Sequence, residues 1–300
     1  MNKPLLDSNA ATFDVPCDSS IQMLPLVRMI LCLCFINVLF LVPSVSADEP
    51  TNATEAAQKK AKESERIERL YQAKKAALSP ERLAWEILLE ENLGNEYYLP
   101  IHKRDFVNGV STGWDFVVDD PNLPRVLLLG DSISRGYTLP VRTVLAGKAN
   151  VHRAPENCGP TANGLKKLDV WLGPGKWDLI HFNFGIHDRR TPLADYTDRL
   201  TQIVTRLQAT GATLIWATTT PVPDDPAKER TAASIVERNI VATALMEKYG
   251  IAIDDLYTAI KPHLITMQKP KDVHFKSVGN DFLGQRVAES IQSILGSAHP

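Results

Sequence analysis

Cysteine is scarce in this chain and lies mostly at one end. Of four cysteines, Cys17, Cys32 and Cys34 crowd near the N-terminus, which leaves Cys158 alone in the remainder. A lone cysteine excludes an internal disulfide and a cysteine metal cluster there, so the fold has to hold by core size. Nothing adjacent to Cys158 would lower its pKa, and it reads as a small buried filler. An excess of either charge is lacking as well: 33 Lys and Arg face 35 Asp and Glu, for a formal net charge of -2. Nucleic-acid binding calls for a basic patch or stripe, so no nucleic-acid partner is expected. The histidines are dispersed. His102, His152, His263 and His299 have no partners at metal-ligand spacing, and neither a metal nor another cofactor is expected. Internal repeats and low-complexity tracts are absent.

What is present falls into three parts. Arg28 precedes an apolar run over 29–42, and Pro43-Ser44-Val45-Ser46-Ala47 then supplies small residues before Asp48 and Glu49. A basic flank, an apolar run shorter than a bilayer span and a small-x-small end predict a secretory signal peptide over 1–47, with export to the periplasm or the exterior. The alternative is a membrane tether through residues 23–45, of spanning length but interrupted by Arg28. Residues 48–124 read as a charged helical spacer followed by a docking helix. The stretch up to about Ala77 is rich in Ala, Glu, Lys and Arg, and Ser79-Pro80-Glu81 then makes a capped helix start.

From Arg125 to the C-terminus, strand and helix patterns alternate in a single domain over 125–300. The run Val126-Leu127-Leu128-Leu129 carries no two-residue alternation, which suits a strand buried on both faces. Further strands are predicted over 150–153, 178–184, 213–217 and 251–254. Helices are predicted over 139–145, 165–172, 193–207, 228–249 and 284–295. Five strands alternating with helices imply a parallel, doubly wound, three-layer α/β/α sandwich of flavodoxin-like type. Nucleotide binding on such a sheet is excluded, because Gly130-Asp131-Ser132-Ile133-Ser134-Arg135-Gly136 lacks the Lys and the spacing of a phosphate loop.

The turn after the first strand, Gly130-Asp131-Ser132, puts a hydroxyl at the carboxyl end of a central strand, where open α/β sheets place their ligands. Asp-Ser at that point is also ordinary helix N-cap chemistry. Three other segments bear on the choice. They are Cys158-Gly159-Pro160-Thr161 with Gly164 close behind, Gly185-Ile186-His187-Asp188, and Asp272-Val273-His274. These four segments, in this order, resemble the SGNH (GDSL-type) hydrolase family over roughly 125–295. The resemblance implies Ser132 as nucleophile, His274 as base and a carboxylate that orients the imidazole. It also implies an oxyanion hole at Gly159, with Gly164 as the alternative.

Two positions depart from the family pattern. Where the family has an amide-bearing Asn, this chain has His187, and Asn183 is the other side-chain donor available. The residue three before His274 is Lys271, so the available carboxylate is Asp272, two before. His181, between Ile180 and Phe182, reads as a core histidine. Arg135, Arg189 and Arg190 are expected on the rim of the same crevice, where guanidiniums hold carboxylates or sulfates. The expected activity is hydrolysis of small O-acyl esters, acetyl first, on carbohydrate, with a small molecule or a polysaccharide as substrate. A lipolytic or thioester substrate is one alternative. A non-catalytic carbohydrate-binding module on the same fold is the other.

Overall fold

The computed structural model describes residues 52–297. The leader expected over 1–47 and the alternative tether over 23–45 lie outside the described residues. Five strands form one sheet: β1 (Arg125–Leu129), β2 (Asn150–Arg153), β3 (Leu179–Phe182), β4 (Thr213–Ala217) and β5 (Ala252–Asp254). All pairings are parallel and the order is β2-β1-β3-β4-β5. The uninterrupted apolar run of β1 has its explanation in two cores. Leu127 and Leu129 enter one face with Ile180, Phe182, Leu214 and Trp216. Val126 and Leu128 enter the other with Leu179, Ile215 and Ala217.

Three helices cover the first face: α5 (Thr161–Leu172), α6 (Leu193–Gln208) and α7 (Ala232–Tyr249). On the second face lie α4 (Ser132–Val144), the short α8 (Leu256–Ile260) and α10 (Ser277–Ser297), with α9 (Leu264–Met267) leading into the last of these. The result is the expected three-layer sandwich. The chain leaves β1 toward β2 on one side and returns to β3 on the other, so the sheet has its switch point at the carboxyl end of β1.

Residues ahead of the sheet form α1 (Asn52–Lys75), α2 (Pro80–Asn92), a π-helical turn over Gly94–Tyr98 and α3 (Leu99–Asn108). The predicted cap is in place, with Ser79 accepting from the backbone N–H of Arg82 and Pro80 at the first helical position. These helices enclose a small core of Leu89, Leu93, Leu99 and Trp114. They are fastened to the sheet domain. Lys167 donates to Asn92 Oδ1 at 2.7 Å, and the Arg142 guanidinium donates to the carbonyls of Thr112, Gly113 and Asp115.

Four helix starts differ from the pattern reading, and one of them is α5, which begins at Thr161 rather than at Leu165. The helix after β1 begins at Ser132 rather than beyond Gly136, because Asp131 caps it at once. Pro226–Lys228 form a 3-10 turn, which delays α7 to Ala232. The last helix begins at Ser277, ahead of Gly284. Gly284 lies where α10 crosses α4: a Cβ there would lie 2.3 Å from Pro140 Cβ and 3.2 Å from the Tyr137 carbonyl oxygen. Gly284→Ala is therefore expected to cost about 1–3 kcal/mol through overpacking, read as a lower midpoint in urea unfolding. An unchanged midpoint would mean that the two helices part without cost.

Candidate active site

Backbone chemistry at the end of β1 settles how the Gly130-Asp131-Ser132 turn is built. Asp131 is the N-cap of α4, and its Oδ1 accepts the backbone N–H of Ile133 at 2.8 Å. Ser132 is then the first helical residue, with its hydroxyl at the sheet's carboxyl edge. The cap and the nucleophile geometry are thus not alternatives, since they belong to neighbouring residues. Ser132 Oγ lies 2.8 Å from His274 Nε2, and His274 Nδ1 lies 2.8 Å from Asp272 Oδ1. With the ring proton on Nδ1 and donated to Asp272, the Nε2 lone pair faces the serine hydroxyl.

The two-residue spacing from Asp272 to His274 works because the segment is a tight hairpin. Gln268 and Phe275 form an antiparallel bridge, Lys269 N–H donates to the His274 carbonyl at 2.9 Å, and Asp272 N–H donates to the Lys269 carbonyl at 3.2 Å. Lys271 takes up the bend with a left-handed backbone, at φ 56°. In that turn Asp272 Oδ1 accepts both the backbone N–H of His274, at 3.2 Å, and the ring. Burial raises the Asp272 pKa, but the backbone and ring N–H groups of His274 outweigh it and hold the carboxyl below its ordinary range. It is an anion at neutral pH.

The loop that carries Gly159 is held against the Gly130-Asp131-Ser132 turn. The N–H of Ser132, in the first turn of α4, has no intrahelical acceptor. Cys158 N–H donates to the Gly130 carbonyl at 3.0 Å, which ties the following Gly159 beside that turn. Gly159 has φ 68°, a left-handed conformation that suits glycine. Gly164 serves packing instead: a Cβ would lie 2.7 Å from Ile203 Cδ1 and 3.1 Å from the Phe184 ring. Cys158 is fully buried, and burial pushes its thiol up to about 12.

The third segment separates the two side-chain donor candidates. Asn183 donates its amide to the Ala217 carbonyl at 2.7 Å and to Thr219 Oγ1 at 3.0 Å. Its amide hydrogens bind the neighbouring strand end, and this corrects the expectation that Asn183 is available as a donor. His187 is 43% exposed, and its Nε2 lies 3.8 Å from Asp131 Oδ2, too far for a hydrogen bond. The buried Asp188 accepts the backbone N–H of Thr161 at 2.9 Å and its hydroxyl at 2.6 Å, which binds this segment to the start of α5. His181 is fully buried with Nε2 3.1 Å from Asp254 Oδ2, as a core histidine.

The arginines divide. Arg135 lines a cavity of about 320 Å³ together with Ser132, His274, Tyr97, Tyr98 and Lys269. Arg189 turns back toward the Ile186 carbonyl at 3.4 Å and does not line that cavity, and Arg190 pairs with Glu229 at 2.8 Å. The expected cluster of three thus reduces to Arg135. Sequence reasoning missed Arg153, which is buried at the end of β2. Its guanidinium donates to the carbonyls of Gly130, Asp131, Ala154 and Glu156 and to Asn157 Oδ1, at 2.8–3.2 Å. Burial pulls its pKa down to about 10, so it stays cationic near neutrality. One side chain thereby ties the Gly130-Asp131-Ser132 turn to the loop that carries Gly159.

No family model and no curated protein matches the sequence. Among solved structures, the chain is similar to the lipase/acylhydrolase from Enterococcus faecalis, at 23% identity and a TM-score of 0.51, over 57% of this chain and 96% of that one. It is also similar to the acetyl xylan esterase AlAXEase, at 13% identity and a TM-score of 0.50, over 56% of this chain and 99% of that one. A candidate GDSL-like lipase from Parabacteroides merdae matches at 12% identity and a TM-score of 0.50, over 57% and 98% of the two chains. At these identities the likeness establishes the fold.

Proposed function

We propose that this chain, which has the fold of the SGNH (GDSL-type) hydrolases, is an exported serine esterase that removes small O-acyl groups, acetyl first, from carbohydrate. The observation that carries the reading is the unbroken chain of contacts from Ser132 through His274 to Asp272, at 2.8 Å in each step. A serine hydroxyl becomes a competent nucleophile when a base within hydrogen-bond reach takes its proton. Ser132 Oγ bonds to the ester carbonyl carbon as its proton passes to His274 Nε2. The oxyanion accepts from the N–H groups of Ser132 and Gly159. On collapse the ester C–O bond breaks, and the leaving alkoxide takes the proton from His274. Water then attacks the acyl carbon as its proton passes to His274, and the Ser132 Oγ–acyl bond breaks to release the acid as His274 returns that proton to Ser132 Oγ. Asp272 stabilises the imidazolium at both stages.

Several features support the acetyl and carbohydrate reading over long lipid chains. The cavity beside Ser132 is small and mixes the aromatic Tyr97 and Tyr98 with Arg135 and Lys269. One structural relative is an acetyl xylan esterase; another is a lipase/acylhydrolase, which keeps a lipolytic substrate as the second reading. Export rests on the N-terminal leader. Among the described residues no helix is long and apolar enough to cross a membrane. The test is hydrolysis of para-nitrophenyl acetate, butyrate and octanoate by the chain from Asp48 onward. Rates that fall with chain length support the acetyl reading, rising rates support the lipolytic one, and rates equal to buffer overturn both in favour of a binding module.

His187 is the side chain left to supply a third oxyanion donor. His187→Ala is expected to lower kcat by about 10- to 1,000-fold with little change in thermal midpoint, because the ring is exposed. Asn183→Ala is expected to lower the midpoint instead, since it orphans the Ala217 carbonyl. The opposite pattern would return the role to Asn183.

A further inference from the structure

Arg135 stands apart from the other buried or half-buried arginines. Arg142, Arg153, Arg230 and Arg238 all have side-chain hydrogen bonds to carbonyl oxygens. The Arg135 guanidinium has neither a hydrogen bond nor an ion pair among the described residues, and its Nε is buried without a partner. What holds it is aromatic: it lies 5.3 Å from the ring centroid of Tyr98 and 5.3 Å from that of Trp114. Both rings come from the N-terminal segment, and Tyr98 is itself packed edge-on against Trp114. A cation over aromatic faces is fixed in place while its N–H groups remain free to donate.

The charge balance of the cavity points the same way. Arg135 and Lys269 line it, and the carboxylate that also lines it, Asp272, is occupied by His274. Arg135 lies three residues beyond Ser132, one helical turn along α4, a spacing of about 5–6 Å between Cβ atoms. An acetyl group on Ser132 is too short to reach past that turn, so a partner for Arg135 belongs to the alcohol half of the ester. Tyr97, 63% exposed and packed edge-on against Tyr98, adds a flat apolar surface beside it. An aromatic surface next to a free guanidinium suits a sugar ring that bears an acid.

We propose that Arg135 is the anion-recognising residue of the substrate cavity, and that the preferred ester lies on a sugar carrying a carboxylate or sulfate. This rests on the esterase reading above and narrows it to a substrate class. The test measures acetate release from an O-acetylated methyl hexuronide, from its neutral carboxylate methyl ester, and from an O-acetylated sugar sulfate, at low and high salt. Wild-type protein should favour an anionic substrate over the neutral ester by at least about tenfold in kcat/KM, less so in high salt. Arg135→Met should cut that preference by about 10- to 100-fold, and Arg135→Lys should restore part of it, since Lys keeps the charge but not the planar fork. Which anion is favoured distinguishes carboxylate from sulfate.

Equal rates of wild type on charged and neutral esters would overturn the proposal. So would an Arg135→Met variant that slows both by the same factor. Failure of the esterase reading looks different: no acetate is released from any substrate beyond that seen with Ser132→Ala. In that event calorimetry with the free hexuronide and the sugar sulfate decides. Binding that Arg135→Met abolishes upholds the anion site, and absence of binding at millimolar ligand overturns it.

Discussion

Replacing Ser132 by alanine is expected to lower kcat for a small acetyl ester by about 10⁴- to 10⁶-fold, and His274→Ala by a similar factor. The hydroxyl and the imidazole act as one unit at 2.8 Å, so removal of either removes the nucleophile. The double variant should therefore be no slower than either single one, because the remaining backbone donors at Ser132 and Gly159 are untouched. Stability should hardly change. Ser132 Oγ has His274 as its hydrogen-bond partner, in a half-exposed position, and a lost bond of that kind costs about 0.5–1.5 kcal/mol. Asp272→Asn should cost about 10³- to 10⁴-fold, because the amide cannot stabilise the imidazolium. Its carboxyl sits below its ordinary range, so its contribution to folding is present above the unfolded-state value and is lost only as the pH falls through the lower folded value. Loss of activity between pH 7 and 5 would then belong to another group. Steady-state rates on para-nitrophenyl acetate, beside thermal melts, check all four variants. A Ser132→Ala rate within tenfold of wild type would sink the nucleophile assignment.

How much of this was legible beforehand depended on whether the information is local. Four of the five strands were legible as short, largely apolar runs bounded by turn residues, whereas β2, Asn150-Val151-His152-Arg153, holds one apolar residue; β1 showed its double burial through four apolars in a row. The Gly130-Asp131-Ser132 turn was legible too, although the sequence offered a cap and a nucleophile as competitors while in the fold Asp131 is the cap and Ser132, next to it, contacts His274. The choice between His187 and Asn183 was not legible. Asn183 lies two residues before Gly185 and on the right side of the strand, and only the position of the Ala217 carbonyl across β3 and β4 shows that its amide is occupied. The short Asp272 to His274 spacing needed a left-handed Lys271, a conformation that sequence gives no reason to expect at a lysine. The N-terminal segment was the largest surprise. Its charge suggested a spacer, yet Tyr97 and Tyr98 from it line the cavity, and Tyr98 and Trp114 hold Arg135.

Arg153 was hidden for the same reason. At the end of a four-residue strand it resembles any basic residue that leaves a sheet for solvent. Its neighbours become visible only in the parallel register that sets it opposite Leu128, one residue before the nucleophile strand ends. There the guanidinium spans both halves of the site, binding Gly130 and Asp131 on one side and Ala154, Glu156 and Asn157 on the other. Arg153→Met keeps much of the stem but takes the donor from the Ala154 and Glu156 carbonyls, each worth about 1–3 kcal/mol, while those of Gly130 and Asp131 keep the N–H groups of Cys158 and Arg135. A loss of about 2–6 kcal/mol is expected, visible as a lower midpoint in urea. Arg153→Lys should be intermediate, since one ammonium cannot satisfy acceptors spread over two segments. A purely structural role would lower the midpoint and leave the folded fraction fully active. A positioning role predicts more: at a temperature where the Lys variant is fully folded, kcat should still fall, by about 10- to 100-fold for one misplaced oxyanion donor, while KM holds. Unchanged kcat in that variant would confine Arg153 to the fold and leave the geometry of the Gly159 loop to the Cys158-to-Gly130 backbone bond and the Asn163 amide on the Cys158 carbonyl.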